Sequence, residues 1–124
     1  MVFQATDAPL SMIAGAAIAI ARFVKMSGAK VIQCAADTDD AVGVSMDAAA
    51  ADLDVLPVAR YNGGIVEVTA GAALATAGVP VASDSTGRAV AAVTGDRILG
   101  YLQNTAAAAG EVVNVLLTKG GMVI

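Results

Sequence analysis

Apolar residues in this chain come in short runs separated by glycines, acidic residues and alanine stretches, a spacing that suits partly or wholly buried β-strands. The clearest stretch is residues 94–117. Ile98, Leu99, Tyr101 and Leu102 form a strand-like run broken by Gly100, and Val112, Val113, Val115, Leu116 and Leu117 form a second one. Between them lie four alanines, residues 106–109, closed by Gly110. Alanine favours helix, but four residues make barely one turn, so a tight helical turn or a close-packed loop is expected there.

The same order occurs earlier in the chain. Ala14-Gly15-Ala16-Ala17-Ile18-Ala19 matches Ala70-Gly71-Ala72-Ala73-Leu74-Ala75. After each match come an apolar segment (Phe23 and Val24; Val79 to Val81), a glycine turn (Ser27-Gly28; Thr86-Gly87), a basic residue (Lys30; Arg88) and a short strand. Acidic turns follow at Asp39, Asp40 and Asp96, then glycine-bearing strands around Gly43 and Gly100, then alanine runs, then valine strands. A spacing of about 56 to 59 residues identifies a tandem duplication. Helix propensity alone would make residues 14–21 a helix; the repeat argues against it, because the second copy carries the pattern in a β context.

The expected fold is therefore mainly β, a compact β-sandwich or barrel-like domain from two pseudo-repeated halves, about residues 13–63 and 64–117. The halves would be related by a pseudo-twofold and complete one core, since each alone is too small to stand. Short helical turns are expected at the alanine runs. Pro80 points to an extended or edge element, because proline has no N–H for a central ladder. Tyr61-Asn62-Gly63-Gly64 reads as a hairpin turn leading into a strand over residues 65–68. The terminal residues Met122, Val123 and Ile124 follow a glycine hinge and suit a short paired strand. Residues 1–11 show no period and contain Pro9; they read as an extended N-terminal arm ahead of a single domain over residues 12–124. Val2, Phe3 and Leu10 give that arm an apolar character suited to docking on a neighbour, with fraying as the competing reading.

At 124 residues the chain has room for one core. Hydrophobic residues make up 57% but aromatics only 3%, so alanine and valine carry the burial and close packing against a partner chain is expected. The net charge of −4 and the scattered basic residues argue against direct nucleic-acid binding. The longest apolar stretch, residues 10–21, is shorter than a membrane span and lacks the basic start of a signal peptide, so synthesis in a cytoplasm and no membrane role are expected.

Candidate chemistry is sparse. The absence of histidine removes the usual general base and most transition-metal sites. The single Cys34 excludes an internal disulfide framework and reads as a buried thiol. Asp37, Asp39, Asp40, Asp47, Asp52 and Asp54 form an acidic cluster in which Asp37-Thr38-Asp39-Asp40 starts like a calcium loop, but the required glycine and terminal glutamate do not follow, so a solvated acidic face is expected. No phosphate-loop spacing occurs. No catalytic, cofactor-binding or metal-binding residue is assigned, and no enzyme activity is expected. A swinging-arm carrier is disfavoured because no lysine sits at a hairpin tip in a suitable motif.

The ordered set Thr69 to Ala73, Val79 to Val81, Gly87 to Val90, Thr94 to Gly100 and Ala106 to Leu117 resembles the tailed-phage capsid cement or decoration proteins. The match is good over the C-terminal half and looser before it. The resemblance implies a β-rich structural protein on the outer surface of a phage capsid, often trimeric, clamping adjacent major capsid subunits. It implies the major capsid protein and other copies of the chain as partners. Val2, Phe3, Gln4, Pro9 and Leu10 in the arm, with Ala107 and Ala108 in the alanine loop, are the candidate contacts. The alternative is a head-fibre base or surface-binding adaptor on the virion.

Overall fold

The computed structural model describes residues 9–61 and 64–124. Val2, Phe3 and Gln4 lie outside the described residues, as do Asn62 and Gly63 of the expected hairpin turn. The first half contributes β1 (Leu10–Ile13), β2 (Phe23–Ser27), β3 (Lys30–Gln33), β4 (Gly43–Ser45) and β5 (Val55–Arg60). The second contributes β6 (Ile65–Thr69), β7 (Pro80–Ser83), β8 (Ala89–Ala91), β9 (Arg97–Ile98), β10 (Gly100–Leu102), β11 (Val112–Leu116) and β12 (Gly121–Met122).

Two sheets of equal size result, in the orders β1-β5-β4-β2-β3 and β6-β11-β10-β7-β8. Strand for strand these are the same topology, with β1, β2, β3, β4 and β5 matched by β6, β7, β8, β10 and β11. Every pairing between named strands is antiparallel. Each sheet also curls back on itself through a parallel bridge, Ala14 to Val31 in one half and Ala70 to Ala89 in the other. A second bridge ties the loops together, Ile18 to Ala49 and Leu74 to Ala106. The duplication read from sequence is thus present down to single hydrogen bonds: Ala14 N donates to Asp54 O at 2.7 Å and Ala70 N to Glu111 O at 2.7 Å.

Close backbone approach explains the glycine shared by the two interior strands. A Cβ on Gly43 would run into the Ala59 carbonyl and stand 2.7 Å from a Val58 methyl. On Gly100 it would stand 2.7 Å from the Leu116 carbonyl and 2.5 Å from a Val115 methyl. Only a residue without Cβ lets β4 and β10 lie so near their neighbours.

Several expectations are corrected. Residues 14–21 are indeed not helical, but neither are the alanine runs. Ala49 and Ala106 are buried and held in bridges, while Ala50, Ala51 and residues 107–109 are exposed. The helix gives way because an acidic side chain takes the loop's amides. Asp54 Oδ2 accepts from Ala50 N and Ala51 N at 3.0 and 3.1 Å, and Glu111 Oε1 accepts from Ala107 N at 3.0 Å. β7 is extended, as Pro80 suggests, but not an edge; it lies between β10 and β8, and Pro80 is tolerated because it is the strand's first residue. Leu10 and Ser11, assigned above to the arm, form the start of β1 opposite Val58 and Pro57. The C-terminal strand is present as β12, paired with β9.

The halves also do not meet through equivalent faces, as a twofold would require. One core cluster belongs wholly to the first half: Ala14, Ile18, Val24, Val31, Ala49, Leu56 and Val58. The other joins the halves. It takes Phe23, Val44 and Ala59 from the opposite face of the first sheet and Val68, Val81, Val113 and Val115 from the inner face of the second. Leu99, Leu102 and Leu117 complete it. Both halves therefore gather matching inner residues, Ala70, Leu74, Val81, Ala89, Ala106, Val113 and Val115 answering to the seven of the first half, but only the second half's cluster continues into the outer face of the other sheet.

A candidate interaction surface

The junction is fastened by polar contacts around that core. Phe23 N donates to Gly87 O at 2.8 Å, Thr69 N to Ala21 O at 2.9 Å and Arg97 N to Asp37 O at 2.9 Å. The Arg22 guanidinium reaches Thr86 O at 2.9 Å, and the Tyr61 hydroxyl donates to Leu99 O at 2.6 Å. Burial pushes the Tyr61 phenol above its ordinary pKa. Lys119 stands 4.9 Å over the Tyr61 ring and pairs with Asp40 at 2.9 Å, bracing the C-terminal segment on the first half.

The acidic residues are used locally. Asp39 Oδ2 accepts from Ala35 N and Ala36 N at 2.8 and 3.1 Å and pairs with Lys25 at 2.9 Å. Burial works against the Asp39 charge, yet these amides and the lysine hold its carboxyl below the usual range. Asp84 is held down in the same way against burial, by the Thr86 and Arg88 amides and the Arg88 guanidinium. Asp52 pairs with Lys30 at 3.0 Å, and Asp47 accepts from Ala48 N. Asp37 differs: a hydrogen bond to Asp96 and the charge of that carboxylate raise its pKa. Among the described residues no group of three or more His, Cys, Asp or Glu is arranged to hold a metal ion. The Cys34 thiol is buried and pushed up to about 12, first by burial and then by Asp39, so it stays protonated. Among the same residues no helix is long and apolar enough to cross a membrane.

What the surface does offer is apolar. A cleft of about 370 Å³ opens beside the junction, lined chiefly by Ile20, Val44 and Met46 from the first half and Ile65, Glu67 and Val112 from the second. Ile20, Met46, Ile65 and Val112 are each about half exposed. From Met46, whose amide donates to Pro57 O at 2.9 Å, the apolar surface continues along the outer face of the first sheet. There Ser11 faces Pro57 and Ile13 faces Val55 across β1 and β5, with Ile13 45% and Val55 66% exposed. No charged side chain stands on this strip.

Of the contacts expected from sequence, Pro9 and Leu10 are exposed at the start of the first sheet, while Ala107 and Ala108 are exposed on the Glu111-held loop of the second half. No strand pairing or described hydrogen bond brings these two groups together. The cleft and strip residues escaped the sequence reading. The signal that could have found them is the mismatch between copies: Ile20, Met46 and Ile13 stand where the second copy has Ala77, Gln103 and Thr69.

Fold and surface together describe a mainly antiparallel β module with an exposed apolar strip on its first sheet. No protein-family model and no curated protein matches the sequence. Among solved structures, the chain is similar to the head fiber gp8.5 N base in bacteriophage phi29, with a TM-score of 0.70 and 18% sequence identity over 91% of this chain and 95% of that one.

This likeness overturns the resemblance to capsid cement proteins and, with it, the reading of the chain as a clamp on adjacent capsid subunits. The physical reason lies in the motifs themselves. Turn glycines, a close-approach glycine and strand valines are what a curled five-stranded sheet needs, and the first half uses them too at Gly28, Gly43 and Val58. They report a local architecture used twice here, and architecture is shared across roles.

Proposed function

We propose that this protein is a structural component of a phage virion that serves as a head-fibre base or surface-binding adaptor. In this reading it assembles with itself, as a trimer, and sits on the capsid exterior in contact with the major capsid protein. The observation that supports it most is the likeness to the phi29 head-fibre base, which runs over nearly the whole of both chains. The surface agrees in kind: a large uncharged face suited to protein contact, and turn carboxylates committed to amides and lysines. The arm residues Val2, Phe3 and Gln4, together with Pro9 and Leu10, are proposed as part of the attachment.

Co-sedimentation of the purified protein with assembled capsids, followed by capsid melting, tests the role. Binding to the shell with an unchanged capsid melting temperature is the expected result, since a fibre base is carried by the shell without bracing it. Absence of the protein from the capsid fraction at micromolar concentration would refute attachment. Removing residues 1–8, and not the β1 residues beyond them, is expected to weaken binding while leaving the far-UV circular dichroism spectrum intact.

A further inference from the structure

The duplication supplies an internal control for the apolar strip. Registers β1 to β5 and β6 to β11 align Ile13 opposite Val55 with Thr69 opposite Val112, and Ser11 opposite Pro57 with Glu67 opposite Asn114. Met46 beside Pro57 aligns with Gln103 beside Asn114, each through the same amide-to-carbonyl bond, 2.9 and 2.8 Å. The same wall of the same fold is thus Ser, Ile, Met, Pro and Val in the first half and Glu, Thr, Gln, Asn and Val in the second. Polar residues are compatible with these positions, so the fold does not require Ile13, Met46 and Pro57 to be apolar. Something that covers the strip does.

From this contrast we infer that the outer face of the first sheet, Ser11, Ile13, Met46, Val55 and Pro57, is where one copy of this chain docks on another. Charge selects the occupant. The chain carries −4 overall, and copies meeting elsewhere bring like charges together; this strip has none. A basic partner would gain nothing from an uncharged surface and would be met by the acidic residues instead. The edge of the sheet agrees. β1 meets β3 at the Ala14 to Val31 bridge just beyond its end, carries no charged residue and leaves Leu10 and Ile13 exposed, whereas the matching strand β6 carries Glu67. Sheet edges left without charge are prone to pair with another chain. The strip is also continuous with a face already used for packing, since Phe23, Val44 and Ala59 of the same wall are buried against the second half.

The inference specifies the surface for the self-association named under the proposed function, and rests on that part of it alone. Sedimentation velocity on the purified full chain, from low to high micromolar concentration, is the test. The wild type is expected to associate. Ile13→Lys is expected to weaken association at least about tenfold with an unchanged circular dichroism spectrum, whereas Asn114→Lys on the matching polar strip leaves association as it was. Should Ile13→Lys fail to fold, Ser11→Arg, at an exposed polar position of the same strip, carries the same expectation. A wild type that stays monomeric overturns the inference, and so do folded strip variants that associate like the wild type. The virion role is read separately: monomers that bind capsids would overturn this inference and leave that role standing, and assemblies that ignore capsids would do the reverse.

Discussion

Ala21 and Leu53 hold φ angles of 60° and 74°, in the left-handed region, and the matching positions of the second half are Gly78 and Gly110 at 90° and 93°. The match is fixed by hydrogen bonds: Ala21 N and Gly78 N donate to Ser45 O and Leu102 O, and Leu53 N and Gly110 N donate to Ala14 O and Ala70 O. The second half meets these turns with the residue that adopts them freely, while the first holds two side chains in a costly conformation. The interior differs as well. Ser45 is buried in the first half where Leu102 is buried in the second, and its hydroxyl donates to Ala19 O at 2.7 Å and accepts from Arg22 N at 3.0 Å. The first half thus uses polar bonds and backbone strain where the second uses glycine and leucine. Two copies of one topology can be stabilised by different means, provided the positions that fix the backbone path are kept.

The largest expected effect probes what the halves share. Gly43→Ala and Gly100→Ala should each cost about 3 kcal/mol in urea unfolding, because the added methyl meets a carbonyl and a valine that cannot retreat. A tolerated substitution at either site would show that the matched close approach is not a requirement of the fold. Ser45→Ala comes next, at about 1 to 2 kcal/mol, since it leaves the part-buried Arg22 amide without the Ser45 hydroxyl. A neutral result there would mean that the first half's polar interior contributes nothing.

Smaller effects sharpen the turns. Leu53→Gly should stabilise by about 0.5 to 1 kcal/mol, relief of the left-handed strain exceeding the entropy of the new glycine, and Gly110→Ala should destabilise by a similar amount. Opposite signs at matched positions are the outcome sought; equal signs would break the comparison.

The smallest effect concerns matched carboxylates. Asp39 faces Lys25, while its counterpart Asp96, which accepts from Val93 N at 2.9 Å, faces Asp37. Because the Asp37 pKa is raised in the folded protein, its stabilising contribution is full below the ordinary carboxylate range and is lost as pH rises through the folded value. Asp39 is lowered, so its contribution is full above that range and fades as pH falls. Asp37→Asn should therefore flatten the loss of stability between acid and neutral pH, measured as thermal midpoint, and Asp39→Asn should flatten the loss on acidification.

Much of this was legible along the chain. The glycine turns at Gly28 and Gly87, the short valine strands and the repeat all follow from local chemistry, and local chemistry recurs wherever the sequence does. The alanine runs form loops and not helical turns, the two readings their composition leaves open, because Asp54 and Glu111 take the loop amides from four or fewer residues away, which propensity ignores. Pro80 marks an extended segment but does not decide between edge and interior, because a proline shows only that one ladder bond is missing; whether its strand is central depends on where β10 falls. The apolar cleft was invisible, since Ile20, Met46, Ile65 and Val112 are scattered in sequence and gathered by the junction.

The sequence by itself determined two similar β-rich halves, their turns and most of their strands, because hydrophobic alternation and turn residues act over a few positions. Only the tertiary structure decided how the halves meet. Packing the outside of one sheet against the inside of the other is a choice among faces, and strand patterns alone do not rank those faces. That choice extended the second half's core into the first, opened the cleft beside it and left the first half's outer strip uncovered.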